Sequence, residues 1–305
     1  MTARVLLGTA SWTDKPLIDS GRFYPPDVKT PEARLRYYAT RYPLVEADST
    51  YYGLPTVDLG RSWVERTPDG FTFDVKAYAL FTNHPTAVAR LPKEIQAQIP
   101  RTLAGKKNIY REDAPLIIVN SCWRWFVDGL YPLHEAGKLG VVVFQFPKWV
   151  FPGDHARRYF HEIRDRLGPY RAAVEFRNNT WLAPSERETT LNMLGDLDFS
   201  YICVDEPQGF QSSVPPIAAA TNKLAYVRFH GRNAAMWEAK TKTSSERFDY
   251  YYKPEELAEW VAPIRQLAFE TDAVHLIMNT NNHDQGPANL EVLRDELLGA
   301  GVTIA

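Results

Sequence analysis

The sequence predicts an α/β fold in which eight parallel strands close into a (β/α)8 barrel. Three observations lead to this prediction: eight short apolar segments recur along the 305 residues, amphipathic helical segments lie between them, and no G-x-G-x-x-G loop follows the first segment. Strands joined through helices pair in parallel through right-handed crossovers, and eight of them close most simply as a TIM barrel. Residues 1–305 are therefore expected to form a single domain, with an open doubly wound sheet as the alternative.

The expected strands are apolar runs of five to seven residues with a polar or charged side chain at or next to their last position. β-Branched and aromatic residues are frequent in them, as they are in the buried strands of parallel sheets. In chain order the expected strands are Arg4–Thr9, Leu44–Asp48, Phe71–Lys76, Gly140–Phe146, Ala172–Arg177, Tyr201–Asp205, Leu224–His230 and Val274–Asn279.

The segments between the strands carry the start signals of helices. Thr30 is expected to be an N-cap, because Pro31 and Glu32 follow it as a first-turn proline and an early acidic residue. Pro254 begins a second such segment, in which Pro263 is expected to kink the helix or restart it. The remaining expected helices are Asp154–Leu167, Ser185–Leu197 and Ala288–Leu298.

One connection is too long for a simple strand–helix–strand unit. Lys76 and Gln145, at the ends of the third and fourth strands, are 69 residues apart, whereas most other neighbouring strand ends are 25 to 38 residues apart. We therefore expect residues 84–138 to form an insertion after the third strand that passes over the barrel mouth. Two roles are consistent with it, a lid over the site and a loop that only covers an edge.

The composition argues against several classes of protein. A formal net charge of −2 gives no bulk attraction for nucleic acid or for an anionic membrane. Apolar runs such as Val141–Phe144 are far shorter than the roughly 20 residues of a membrane helix, and Val5–Leu7 is too short for a signal-peptide core. The only two cysteines, Cys122 and Cys203, argue against a disulfide framework. A cytoplasmic protein with no nucleic-acid or membrane partner is expected, and the sequence does not determine its oligomeric state.

Polar side chains at the strand ends are the candidate functional residues, because the site of such a barrel forms at the C-terminal ends of its strands. Alternate residues of a strand share a face, so Glu175 points the same way as Arg177, and Arg228 the same way as His230. The candidate catalytic acids and bases are Glu46, Glu175, Asp205 and His230. The candidate substrate-binding residues are Trp12, Tyr52, Lys76, Gln145, Arg177, Trp181, Arg228, Asn279 and Asn281.

Two interpretations of this ring of charges compete. Its lysine, arginine and carboxylate side chains can neutralise each other as an internal ion-pair layer, but burying so many ions is costly, which favours a functional mouth. Lysine and arginine side chains that converge on one pocket suit a phosphate or carboxylate, because a guanidinium group binds such anions in a bidentate manner. No metal and no cofactor are expected, since the chain has no H-x-H, H-x-x-E-H or H-E-x-x-H spacing and the adjacent cations would repel a metal ion.

Several segments, taken in order, resemble one protein family. They are Gly8–Trp12, Phe23–Pro25, Val45–Tyr52, Phe71–Lys76, Gln145–Pro147, Val174–Arg177, Tyr226–Gly231 and Asn279–Asn282. On these segments the chain resembles, over nearly its whole length, the YecE-like proteins, also called domain of unknown function 72 or UPF0759-type proteins. The resemblance implies a TIM barrel and no particular reaction, because the family has no established activity. The chain departs from the family pattern at Asp48, where Asn is commoner, and at Asn178–Thr180.

Together the residues and the resemblance predict a small-molecule enzyme of an uncharacterised family. The expected chemistry is metal-free acid–base catalysis on an anionic substrate that carries a phosphate or carboxylate group and can be sugar-like. One alternative is a divalent-metal-dependent hydrolase, nuclease-like or isomerase-like, in which the candidate catalytic residues serve as ligands. A second alternative is a binding protein that keeps the anion pocket without catalysis.

Overall fold

Eight strands of the computed structural model form a closed parallel barrel, which confirms the predicted fold. The structure describes residues 3–103, 105–241 and 244–305. The strands within them are β1 (Arg4–Ala10), β2 (Leu44–Ala47), β3 (Thr72–Lys76), β4 (Thr86–Ala87), β5 (Asn108–Ile109), β6 (Leu139–Phe146), β7 (Ala172–Phe176), β8 (Phe199–Asp205), β9 (Leu224–Phe229) and β10 (Ala273–Met278). The barrel order is β1-β2-β3-β6-β7-β8-β9-β10, and β10 closes onto β1.

Helices follow the barrel strands, as the alternating pattern predicts. In the described residues they are α1 (Lys15–Ser20), α2 (Pro31–Tyr38), α3 (Ser49–Tyr52), α4 (Val57–Glu65), α5 (Lys93–Gln96), α6 (Leu116–Glu135), α7 (Asp154–Leu167), α8 (Arg187–Asp196), α9 (Ser244–Arg247), α10 (Pro254–Ala258), α11 (Val261–Glu270) and α12 (Gln285–Gly299). The eight predicted strands and the predicted helices agree with these elements within a few residues.

The expected helix punctuation is present. The Oγ1 atom of Thr30 accepts a hydrogen bond from the backbone N–H of Ala33, 3.1 Å away, which caps α2. The segment that begins at Pro254 restarts rather than bends, since α10 ends at Ala258 and α11 begins at Val261. Pro263 thus lies in the first turn of α11, where its missing N–H removes no intrahelical hydrogen bond.

The segment 84–138 is not an insertion throughout. The strands β4 and β5 form a small antiparallel pair beside α5, but α6 is a 20-residue helix that packs against α4 as an ordinary outer helix of the barrel. Its buried face repeats at helical spacing through Ile118, Cys122, Phe126 and Leu130. The insertion is therefore the shorter stretch between β3 and α6. Among the described helices none is both long and apolar enough to cross a membrane.

Strand register determines which side chains enter the barrel. Arg228 of β9 pairs with Val204 of β8 and with Ile277 of β10, and its side chain is fully buried. Gln145 of β6 pairs with Glu175 of β7. Because paired residues of neighbouring strands point to the same face, these polar side chains share the barrel interior near its C-terminal mouth.

Candidate functional site

A cleft of about 460 Å³ opens at the C-terminal mouth of the barrel. This size is typical of small-molecule sites. The residues around it come from the strand ends and from the connections that follow them. They are Asp48, Tyr51, Tyr52, Lys76, His84, Gln145, Pro147, Lys148, Trp149, Arg177, Ser212, Trp237, Glu238, Arg247, Phe248, Asn279 and Asn281.

A fully buried arginine lies beneath the cleft between two glutamates. The guanidinium of Arg228 donates to Oε1 of Glu46, 2.6 Å away, and to Oε2 of Glu175. Tyr226, two residues earlier on the same face of β9, donates its hydroxyl to Oε2 of Glu46 at 2.9 Å. The two glutamates are therefore joined through Arg228 and do not face each other across an open mouth.

Glu175 is an ionised carboxylate that accepts hydrogen bonds from three side chains around it. Its Oε1 accepts hydrogen bonds from Nε of Arg177 at 2.5 Å and from Nε2 of Gln145 at 2.7 Å. Burial alone would raise the pKa of Glu175, but the charges of Arg177 and Arg228 hold it well below its usual value. A carboxylate in this state cannot supply a proton near neutral pH, so it serves to position the guanidinium groups.

Glu46 and Asp48 form a carboxyl pair whose two members titrate differently. Burial raises the pKa of Glu46 to about 8, and the nearby charge of Asp48 adds to the effect. Burial would also raise the pKa of Asp48, but the ammonium of Lys76, 3.5 Å away, and a hydrogen bond with Glu46 hold it below its usual value. Near neutral pH the pair therefore keeps one proton, which resides on the deeper Glu46, while Asp48 faces the cleft as an anion.

Arg177 connects a histidine and a third glutamate to the cleft. Its Nη1 donates to Oε2 of Glu206 at 2.7 Å, and its Nη2 lies 3.0 Å from Nε2 of His230. Since a guanidinium only donates, Nε2 accepts and the ring proton lies on Nδ1. The side-chain amide of Asn279, 2.9 Å from Nδ1, then turns its oxygen toward the ring to accept this proton. Burial, reinforced by the charge of Arg177, lowers the pKa of His230 to about 3, so the ring is neutral.

Aromatic side chains form the walls of the cleft. The ring of His84 lies edge-on to Tyr51, with centroids 5.3 Å apart, and to Trp149, 5.7 Å apart. Burial lowers the pKa of His84 to about 4, so this ring is neutral as well. On the opposite wall the guanidinium carbon of Arg177 lies 4.9 Å from the ring centroid of Trp237. Such walls suit the flat or apolar body of a small ligand.

A family model described as "Protein of unknown function DUF72" matches residues 6–303. The chain belongs to the DUF72 family. It is similar to the UPF0759 protein YunF of Bacillus subtilis (strain 168), with 29% identity over 303 residues, 97% of this chain and 96% of that protein. The match confirms the family resemblance that the sequence analysis found on eight segments taken in chain order.

Solved structures of DUF72 family proteins share the architecture. The protein from Enterococcus faecalis V583 has a TM-score of 0.76 and 27% identity, covering 96% of this chain and 95% of that chain. The protein from Thermotoga maritima MSB8 has a TM-score of 0.75 and 25% identity, covering 97% of this chain and 99% of that chain. Both relatives share the barrel fold of this chain over nearly its whole length.

In the DUF72 chain the predicted site residues separate into three groups. Six line the cleft: Tyr52, Lys76, Gln145, Arg177, Asn279 and Asn281. Four lie just beneath it in one hydrogen-bonded network: Glu46, Glu175, Arg228 and His230. Three lie elsewhere: Asp205, Trp12 and Trp181.

Asp205 is not brought to the cleft. Its carboxylate accepts from Arg232, from the Tyr252 hydroxyl at 2.7 Å and from the Trp260 indole N–H at 2.7 Å. Because Asp205 pairs with Phe229, it points to the face opposite Arg228, toward the outer helices. Its expected catalytic role therefore has no geometric support.

The two tryptophans predicted to bind substrate are structural in the DUF72 chain. Trp181 is fully buried, stacks on Phe176 with centroids 4.5 Å apart, and donates its indole N–H to the carbonyl of Val150 at 2.8 Å. Trp12 is 7% exposed and lies edge-on to Trp63, with centroids 5.7 Å apart. Both fill the space outside the strands, which corrects the expectation that they contact a ligand.

Several residues of the site carried no role in the sequence interpretation, among them Asp48, Glu206, His84 and Arg247. Asp48 follows Glu46 by two positions, so strand alternation could have placed it on the inner face. Glu206 follows Asp205, and the same rule assigns it the inner face once Asp205 is known to point outward. His84 and Arg247 come from the connections after β3 and β9, where no sequence pattern indicates direction.

The donor set does not favour a metal site. Among the described residues, no group of three or more His, Cys, Asp or Glu side chains is arranged to hold a metal ion. The predicted ligands Glu46 and Glu175 already accept hydrogen bonds from Arg228, and Asp205 accepts from Arg232. A cation at these oxygens would have to displace guanidinium groups.

Proposed function

We propose that this DUF72 chain is an enzyme that moves protons on a small anionic substrate bound in the mouth cleft. The carrying observation is that Asp48, one member of the carboxyl pair it forms with Glu46, lines a cleft whose other charged side chains are mainly cationic. The raised pKa of Glu46 and the lowered pKa of Asp48 support one proton held by this pair. Such a pair can take a proton from a substrate and return it, which is the requirement of general acid–base catalysis.

Asp48 is the member of the pair that meets the substrate. It lines the cleft, and its side chain is 24% exposed, whereas Glu46 is fully buried. Lys76, whose ammonium is 3.5 Å from Asp48, holds the carboxylate ionised and can also contact the negative charge that develops on the substrate. Glu46 holds the shared proton, and Arg228 and Tyr226 fix its orientation.

Arg177 supplies the attraction for an anion. Its guanidinium has five N–H groups, of which three are engaged by Glu175, Glu206 and His230. The side chain is 11% exposed and lines the cleft. The remaining N–H groups support bidentate binding of a phosphate or carboxylate.

The test is a screen of phosphorylated and carboxylated metabolites by thermal shift, followed by a turnover assay of each ligand found. A ligand at about 100 times its Kd raises stability by roughly 2.7 kcal/mol, which shifts the melting temperature by several degrees. For a compound that is turned over, Asp48→Asn should lower kcat by about 10²- to 10⁴-fold while the compound still binds.

Asp196→Asn is the matched control, because it makes the same substitution at an exposed aspartate on α8 that does not line the cleft. It should change kcat by less than about threefold. A wild-type rate in Asp48→Asn would refute the assigned role. Ligands that bind tightly and are never turned over would instead support a non-catalytic binding protein.

A further inference from the structure

Two arginines lie at the same end of the cleft. Arg177 follows β7, and Arg247 is the last residue of α9 in the connection after β9. Both line the cleft, and the side chains of Trp237 and Phe248 lie beside them. Only one strand, β8, lies between β7 and β9 in the barrel, so both side chains come from the same part of the mouth.

Arg247 is in an unfavourable environment without a ligand. Its Nε atom is buried and has no hydrogen-bond partner within the described part of the chain. Burial lowers the pKa of Arg247, and the positive charge of Arg177 lowers it further. A half-buried guanidinium beside a second guanidinium is costly unless an anion lies between them.

The surrounding carboxylates do not balance these charges. Glu175 divides its hydrogen bonds between Arg177 and Arg228. Burial raises the pKa of Glu206 to about 8, so this partner of Arg177 is mostly neutral at pH 7.

A further pair at the rim contributes no net charge. Lys148 and Glu238 lie 3.3 Å apart and cancel each other. Among the residues that the structure describes, the end of the cleft that holds Arg177 and Arg247 therefore carries an excess of about two positive charges by this count of ionised groups. A dianion neutralises that excess, whereas a single carboxylate leaves part of it.

We propose that Arg177 and Arg247 together bind the phosphoryl dianion of a phosphorylated substrate, whose reacting portion then extends toward Asp48 and Lys76. The identification of this anion as part of a substrate rests on the proposed function. The anion site itself does not, because it can be occupied by phosphate alone. The cleft thus has a binding end and a reacting end.

The test measures binding of inorganic phosphate to the full chain by isothermal titration calorimetry at pH 7.5 and constant ionic strength, with sulfate and acetate as comparison anions. Phosphate and sulfate should bind to the wild type, and acetate at least tenfold more weakly. Arg247→Met should weaken phosphate binding by tenfold or more, and Arg247→Lys should recover part of the loss. Arg265→Met, an exposed arginine on α11, is the control and should leave the Kd unchanged.

A melting temperature and circular dichroism spectrum like those of the wild type would establish that Arg247→Met is folded. A phosphate Kd within twofold of the wild type in this variant would overturn the proposal, as would equal affinity for acetate and phosphate, or no phosphate binding to the wild type. If phosphate binds through Arg247 but no phosphorylated compound is turned over, the anion site stands and the enzyme proposal fails.

Discussion

Asp205 and Glu206 are neighbours in the chain and equally buried, yet they belong to different regions of the molecule. Asp205 is 2% exposed and lies in the layer between the barrel and the outer helices, where Arg232, Tyr252 and Trp260 donate to it. Glu206 is 3% exposed and lies at the inner mouth, where it accepts from Arg177 and from the backbone N–H of Val214 at 2.7 Å.

The difference shows that a charged residue at a strand end is not by itself a functional residue. In the outer cluster, donors surround the carboxylate of Asp205 and hold the connection after β9 against the barrel. In the inner network, each carboxylate is linked through an arginine to groups that border the cleft, so changes there reach the site. Three substitutions test this division.

The largest effect is expected from removing the central cation of the inner network. Arg228→Met removes one of the two arginines bound to the fully buried carboxylate of Glu175, and it removes the donor to Oε1 of the buried Glu46. A buried carboxylate that loses a cation and a buried acceptor that loses its donor should together lower the free energy of unfolding by about 3–5 kcal/mol, measured by urea denaturation. Arg294→Met, at a partly exposed arginine, should cost less than about 1 kcal/mol. A loss below 1 kcal/mol in Arg228→Met would show that the network is not a structural unit.

A smaller effect, confined to stability, is expected in the outer cluster. Asp205→Asn replaces one acceptor oxygen by a donor that faces Arg232 or Trp260, which should lower the free energy of unfolding by about 1–3 kcal/mol. The Kd for inorganic phosphate should not change, because Asp205 does not line the cleft. Asp196→Asn, on the exposed face of α8, controls for loss of a negative charge. Weaker phosphate binding with unchanged stability would place Asp205 in the inner region after all.

The smallest effect is a change in the pH dependence of stability. The pKa of Glu206 is raised from 4.5 to about 8 by burial, so the folded state retains a proton that the unfolded state has lost. The stability from this group is present below about pH 4.5 and is lost as pH rises toward 8, by at most about 1.4 kcal/mol per pH unit. Glu206→Gln should flatten the decline in unfolding free energy between pH 6 and pH 7 by up to that amount.

Glu188→Gln, an exposed glutamate on α8, is the control for the titration experiment and should keep the wild-type slope. Glu46 has the same direction of pKa shift, so a residual decline is expected in Glu206→Gln. An unchanged slope in Glu206→Gln would mean that this carboxyl is ionised in the folded protein, and the charge excess at Arg177 would then be smaller.

The fold could be predicted closely because its signals are local. The apolar runs, the Thr30 cap and the prolines at 254 and 263 determine the backbone conformation only of residues close to them in the chain. Each has the predicted consequence. The predicted insertion, residues 84–138, is too long because α6 follows directly on an irregular stretch, and the sequence has no clear boundary between that stretch and the helix. The family resemblance agreed with the barrel without adding a reaction.

The site could be predicted in part. Alternation along a strand places Glu175 with Arg177 and Arg228 with His230, and the structure has these pairs in one network. Alternation cannot assign Asp205 to a face, because all residues of its strand are buried and none of them indicates which face is the inner one. The aromatic residues after strand ends were equally ambiguous: Tyr52 lines the cleft, whereas Trp181 packs beneath the helices.

The amino-acid pattern was sufficient to predict the eight barrel strands, their parallel order through intervening helices and the concentration of charge at their ends. It was not sufficient to predict which of two adjacent carboxylates faces inward, that Arg228 is buried between Glu46 and Glu175, or that His84 and Arg247 join the cleft. The cause is the sequence separation of the contacts involved. Helix and strand formation depends on neighbours a few residues away, whereas register, and the paths of long connections, depend on contacts between residues that lie 50 or more positions apart, such as Arg228 and Glu46.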